Sequence, residues 1–201
     1  MQSKKDSIKI KIRSAFSLHD QNAKIEAIRE ILDLIETKEA DMKDIVDDMI
    51  TGIKQEKSSY VLSFIWTKLA TMTPDEKIKS FAEQELDNSS PEHRRFALAY
   101  LATVYPEESR RLYEKMQKDN NAFVLFEAGK AILPIDQKLA LNLWFSIIGI
   151  SPHVLGDEII PEYIAQYADA EFISYLERLY EENPDDKITE MVLEVIKQEG
   201  R

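Results

Sequence analysis

A chain of 201 residues with 44% apolar residues, 5 Gly and 7 Pro has the size and make-up of one globular domain rich in regular structure. It has no cysteine, which excludes disulfides and thiolate metal sites, and no apolar run reaches the roughly 18 residues of a membrane span. A formal charge of −11 opposes binding to phosphate backbones and serves either recognition of a basic protein partner or plain solubility.

The charge is unevenly placed. Residues 1–20 carry Lys4, Lys5, Lys9, Lys11 and Arg13 against Asp6 and Asp20, whereas residues 152–201 carry 13 acidic side chains against Arg178, Lys187, Lys197 and Arg201. The opening stretch MQSKKDSIKIKIRSAF mixes apolar and basic residues without the continuous apolar core of a secretory signal, so a cytoplasmic protein is expected.

Ser7–Arg13 alternates with period two, as a strand would, but Ile8 and Ile12 are also four apart. In an otherwise helical chain this predicts a first amphipathic helix running to Leu18. Ile25, Ile28, Leu32 and Ile35 form the stripe of a second helix. Asp41 opens a third, carrying Met42, Ile45, Val46, Met49 and Ile50, with Gly52 as its expected left-handed cap and Lys54 near its negative end. Ser58 or Ser59 caps the next, which bears Val61, Leu62, Ile65 and Leu69. Thr73-Pro74-Asp75-Glu76 reads as a capping box, with Thr73 as cap and Pro74 as first helical residue, ahead of Ile78, Phe81, Ala82 and Leu86.

After a break at Asp87-Asn88-Ser89, Ser90-Pro91 starts a helix with Ala97, Leu98, Leu101 and Val104. Pro106, which lacks the N–H that a first helical residue does not use, opens a helix with Leu112 and Met116. A polar turn at Asp119-Asn120-Asn121 leads to a helix over about 122–133, inside which Gly129 marks a close helix crossing. Pro134 separates this from a helix bearing Leu139, Leu143, Ile147 and Ile148. Residues 151–156 form the longest irregular stretch, followed by a helix over about 157–167. Ala170–Glu182 carries Phe172, Ile173, Leu176 and Leu179. Asn183-Pro184-Asp185-Asp186 then restarts the chain into a last helix with Ile188, Met191, Val192, Val195 and Ile196, closed by Gly200.

Starts near Ser58, Ser90, Asn121 and Pro184 are spaced by 32, 31 and 63 residues, and the last interval is a double one if a start lies near Gly156. A helix pair recurring every 30 to 35 residues marks an α-solenoid. Leu112, Met116, Asp119, Val124, Ala128 and Ile132 make one copy of the pattern. Leu86, Asp87, Ser90, Arg94, Ala97 and Leu101 make another, with His93 where Val is usual. Ile173, Leu176, Leu179, Asn183, Thr189, Val192 and Val195 follow it loosely. On these residues the chain resembles the HEAT-like repeat family over about residues 40 to 200. The resemblance implies an all-α fold: a right-handed α-solenoid of about five HEAT-like helix pairs and about eleven to twelve helices. Residues 1–39 would be N-terminal capping helices and 40–201 the repeats, within one domain. In that family the second helices usually line a concave surface.

Tyr60 with Phe64, Phe96 with Tyr100, and Phe123 with Phe126 recur on second helices, either as a docking ridge or as core between repeats. Arg94, Arg95, Arg110 and Arg111 either hold an anion or pair with Glu92, Glu107, Glu108 and Glu114. Asp44, Asp47 and Asp48 recur as a metal face would, but on one helix only, and no metal or other cofactor is expected. His19, His93 and His153 are isolated, with no carboxylate or serine placed beside them in sequence. Glu177, Glu181, Glu182, Asp185 and Asp186 read either as a docking patch or as solvated charge, and Glu127 counts for binding according to which way it faces.

By size, charge and fold the chain resembles the acidic immunity proteins that bacteria pair with secreted toxins. That resemblance implies a monomeric, non-enzymatic module that binds a basic protein such as a nuclease toxin, with neither nucleic acid nor membrane as partner. Two alternatives stand beside it. One is a HEAT-like DNA glycosylase of alkylation repair, for which Trp66 and Trp144 are available. The other is a scaffold or adaptor.

Overall fold

The computed structural model describes residues 2–150 and 156–200. Among these residues the chain is all-helical, with twelve α-helices and no strand. It divides into two compact units, residues 1–104 and 105–201.

The first unit holds α1 (Gln2–Ser17), α2 (Gln21–Glu36), α3 (Val46–Gln55), α4 (Ser59–Ala70), α5 (Glu76–Glu85) and α6 (Pro91–Val104). Its ambiguous opening stretch is helical. Ile8, Ile12 and Ala15 are buried while Ile10 is 63% exposed, so the spacing of four, not two, decides which side chains meet the core. Side-chain caps set most of the helix starts. Asp20 accepts the N–H of Ala23, and Ser58 accepts that of Val61.

Two starts differ from expectation. Asp41 caps only a 3₁₀ turn, Met42–Asp44, and the α-helix proper begins at Val46. Further on, the cap is Asp75 rather than Thr73. The Asp75 carboxylate accepts from the N–H groups of Lys77 and Ile78 at 2.9 and 3.2 Å, and its charge also favours the positive end of the helix, which a threonine hydroxyl does not. Glu76 therefore begins α5 instead of completing a capping box.

In this unit α1, α3 and α5 pack in succession as one layer, and α2, α4 and α6 as another. α1 on α2 and α5 on α6 join the layers. Residues 1–39 supply a helix pair, α1 and α2, whose members pack on α3 and α4 respectively. Helices of this length are marginal alone, so the stacking that buries Ile12, Ile28, Met49, Leu62, Ile78 and Leu98 is what stabilises them.

The second unit opens with a 3₁₀ turn at Pro106–Glu108, followed by α7 (Ser109–Met116), α8 (Ala122–Ile132), α9 (Gln137–Ile150), α10 (Gly156–Tyr167), α11 (Ala170–Glu182) and α12 (Lys187–Gln198). The start at Gly156 fills the double interval. The expected irregular stretch at 151–155, with His153, lies outside the described residues. α8 packs on α7 and α9, α10 on α9 and α12, and α11 on α12. Trp144 is fully buried at the centre, where its ring meets Phe126 and Tyr163 at centroid distances of 5.7 and 5.5 Å.

Two glycines allow close approach. Gly52 does not end α3. It lies inside the helix, buried, and a Cβ there would stand 2.2 Å from the ring of Phe16 on α1. Among the described residues only Lys38 and Gly200 have positive φ, and Gly200 at 77° closes α12 as its sequence position predicts. Gly129 is the close crossing of α8 and α9. Trp144 Nε1 donates to the carbonyl of Phe126 at 3.1 Å, and a Cβ at Gly129 would stand 2.1 Å from that nitrogen.

Glycine to alanine inside an exposed helix stabilises by up to about 1 kcal/mol. At Gly129 the sign reverses, because the indole is buried and hydrogen-bonded and has nowhere to go. Gly129→Ala is expected to destabilise by about 1–3 kcal/mol in urea unfolding. Gly52→Ala should cost less, since Phe16 is half-buried and has room to swing outward.

Candidate functional site

The most concentrated polar chemistry is buried in the first unit, around His93. The turn between α3 and α4 is Glu56-Lys57-Ser58. The carboxylate of Glu56 folds back on this turn and accepts the N–H groups of Lys57 and Ser58 at 2.9 and 2.8 Å. Its second oxygen holds Lys24 Nζ of α2 at 2.7 Å. The backbone carbonyl of Glu56 accepts from Nε2 of His93, in the first turn of α6, at 3.0 Å. The other ring nitrogen of His93 lies 2.5 Å from the carboxylate of Glu85, at the end of α5. Glu85 also accepts from Asn88 Nδ2 at 3.0 Å. The Asn88 side-chain oxygen accepts the N–H of Ser90, and its backbone carbonyl accepts from Arg94.

The protonation state follows from the partners. A carbonyl only accepts, so Nε2 carries hydrogen. The Glu85 carboxylate also accepts, so Nδ1 carries hydrogen too, and the ring is an imidazolium. The hydrogen bond to Glu85 raises the His93 pKa, burial opposes it, and the Glu56 carbonyl adds to the rise. For Glu56, burial raises the carboxyl. The Lys24 ammonium and the N–H groups of Ser58 and Lys57 together outweigh it and hold the group below its ordinary value. An imidazole with both N–H groups engaged has no lone pair for proton abstraction. This cluster clamps α2, α5, α6 and the α3–α4 turn together. His93 is thus not isolated, because the fold brings Glu85 to it from eight residues away.

The aromatic set divides. Tyr60 is 58% exposed, and Phe64 is half-buried under the guanidinium of Arg29, 5.2 Å from its ring centroid. Phe96 and Tyr100 are buried, and Tyr100 packs 5.1 Å from Trp66. They belong to the packing, not to an open ridge, as does Phe126, while Phe123 is half-buried. Trp66 and Trp144 are both internal.

The arginines have local tasks. Arg94 donates to the carbonyls of Asn88 and Ser89, Arg95 lies over Phe96, Arg110 faces Asp136 and Arg111 pairs with Glu108. Asp47 pairs with Lys77 and Asp48 with Arg13. Among the described residues no group of three or more His, Asp or Glu is placed to hold a metal ion, and no helix is long and apolar enough to cross a membrane.

Glu127 is half-buried and pairs with Lys130 on its own helix at 3.0 Å. Glu177, Glu181, Glu182 and Asp185 are exposed on α11 and the turn after it. Asp186 is set apart from them because it caps α12. It accepts from the hydroxyl of Thr189 at 2.7 Å and from the N–H groups of Ile188 and Thr189. The Thr189 hydroxyl bond lowers its pKa, burial opposes this, and the two N–H bonds lower it further.

Two signals for the buried cluster stand in the sequence. Glu85 continues the stripe of Ile78, Phe81 and Ala82, so a carboxylate occupies an apolar register. His93 stands where the repeat pattern expects Val. No comparable signal marks Glu56, whose partners Lys24 and His93 lie 32 and 37 positions away. Comparison with protein-family models, curated proteins and solved structures finds no match.

His93→Val restores the repeat pattern but leaves the Glu85 carboxylate buried without its cation, and is expected to cost about 3 kcal/mol in chemical unfolding. His93→Val with Glu85→Leu should recover most of that loss. The wild type should also show a pH signature. With the folded pKa raised, the contribution of His93 is complete below its ordinary value near 6.5 and is lost as pH rises through the higher folded value. Unfolding free energy measured from pH 6 upward should fall in wild type and stay flatter in the double variant.

Proposed function

We propose that this protein is a non-enzymatic binding module, an acidic inhibitor of the immunity type that acts in the cytoplasm by capturing a basic protein, such as a toxin with nuclease activity. One observation carries the reading. Glu177, Glu181, Glu182 and Asp185 stand exposed within one helix and its following turn, without ion pairs among the described residues, in a chain of net charge −11. Many other exposed acids, including Glu26, Asp33, Asp47 and Glu171, have a lysine or arginine against them. Uncompensated like charges on one helix repel one another, and an incoming cationic surface relieves that repulsion and is steered toward it. The residue types that suit chemistry are engaged inside: His93 in its clamp, Trp66 and Trp144 in the packing. Buried indoles and an acidic surface also speak against duplex binding by a glycosylase.

The test is binding of the purified protein to the basic protein encoded beside it, measured by interferometry at two salt concentrations. Glu177→Lys, Glu181→Lys and Glu182→Lys together should weaken binding by on the order of tenfold or more, mainly through the association rate. Added salt should weaken the wild type and spare the variant. Absence of binding at micromolar concentrations, or an affinity unchanged by the reversal, would sink the reading.

A further inference from the structure

We infer that the cleft between α9 and α11 seats one aromatic side chain presented by a basic segment of the partner protein. The inference rests on the binding-module reading above and names the anchor that such a partner would use.

The cleft exists because two helices fail to close on each other. α9 packs on α8 and α10, and α11 on α12, but α9 and α11 are not close-packed together. Side chains tie them instead. Lys138 of α9 meets Glu171 of α11 at 2.7 Å, and Phe145 of α9 meets Phe172 of α11 edge to face at 6.5 Å, while Gln137 Nε2 donates to the carbonyl of Tyr167, the last residue of α10, at 2.6 Å. Between these ties lies a cleft of about 560 Å³, within the range of sites that bury a small ligand. Leu141, Phe145, Phe172 and Tyr175 make its apolar walls, and Tyr175 is 39% exposed.

Three features choose the occupant. The walls are aromatic, and aromatic rings pair best with another ring set edge-on or offset. Arg178, one turn beyond Tyr175, lines the cleft with only its Nε tethered, to the Ser174 carbonyl at 3.3 Å, and has no carboxylate partner among the described residues. A planar guanidinium so placed stacks on an aromatic face. Asp169 and Glu171 stand at the other end. The Lys138–Glu171 pair is more than two-thirds exposed on both sides, so it is weak and exchangeable for an incoming cation. An anionic occupant would instead meet Asp169, Glu171 and the field of Glu177, Glu181 and Glu182. An aromatic anchor flanked by lysine or arginine satisfies all three, and a large side chain filling a desolvated pocket inside a charged rim is the usual form of a binding hot spot.

The probes are short peptides, followed by NMR shifts of Leu141, Phe145, Phe172 and Tyr175. Acetyl-Lys-Trp-Lys-amide should perturb these signals saturably. Acetyl-Lys-Gly-Lys-amide and acetyl-Glu-Trp-Glu-amide should bind at least about tenfold more weakly. Ser146→Trp, an exposed position at the cleft wall, should block the first peptide while leaving helical circular dichroism unchanged. Tyr175→Ala should weaken it too. No perturbation by the first peptide overturns the inference. So does equal binding of the Glu-Trp-Glu peptide, or tryptophanamide binding as tightly as the tripeptide, which would mark a small-molecule pocket. The two proposals separate cleanly. If the α11 charge reversal abolishes partner binding while Ser146→Trp leaves it intact, the binding-module reading stands and the anchor falls.

Discussion

Every helix in this protein depends on a neighbour to cover its apolar side. The helices run from 8 to 16 residues, at or below the length at which an isolated helix holds in water. Tertiary burial therefore supplies what propensity does not. In the first unit this constraint produces two layers, with α1, α3 and α5 in one and α2, α4 and α6 in the other, each helix extending the surface that the previous one leaves open. In the second unit the same need gathers α8, α9 and α10 around Trp144, and it requires the backbone at Gly129 to come within contact of the indole. Where the need is not met, between α9 and α11, a cleft remains.

The cluster of Lys24, Glu56, His93 and Glu85 brings charge into that packing. Buried ion pairs contribute little net stability against apolar replacements, because desolvation offsets the attraction, but losing one partner is costly. Glu56, His93 and Glu85 are each held by two or more bonds and Lys24 by its bond to Glu56, so the cluster constrains geometry. His93 reaches the α3–α4 turn only if α6 is in register with α5, and Lys24 reaches Glu56 only if α2 is seated beside that turn. A slipped pairing of helices would strand a charge in the core, whereas an all-leucine interface would tolerate the slip.

The histidine clamp and the indoles are turned inward. In the second unit Glu177, Glu181 and Glu182 stand exposed on α11 without ion pairs among the described residues, and the same helix lines the aromatic cleft. Electrostatic steering and a desolvated anchor are complementary parts of recognition, the first setting association and the second residence. Under the proposed reading both would act from α11.

Much of the fold was legible in the residues alone. Apolar spacing of three and four marks eleven of the twelve helices, and Ser58, Asn121 and the turn before Lys187 announce starts, because caps and stripes are local properties of the chain. The 32-residue rhythm even reserved a place for α10. Tertiary structure decided the rest. Whether Phe96, Tyr100 and Trp66 face solvent or core depends on a neighbouring helix that no local pattern names. Gly52 looked like a cap because glycine serves both left-handed turns and close approaches, and only the ring of Phe16 tells which. Glu85 and His93 each sat in an apolar register as an unexplained polar residue. Their meaning appeared only when α5 and α6 folded together, since a buried charge is defined by the partner that reaches it.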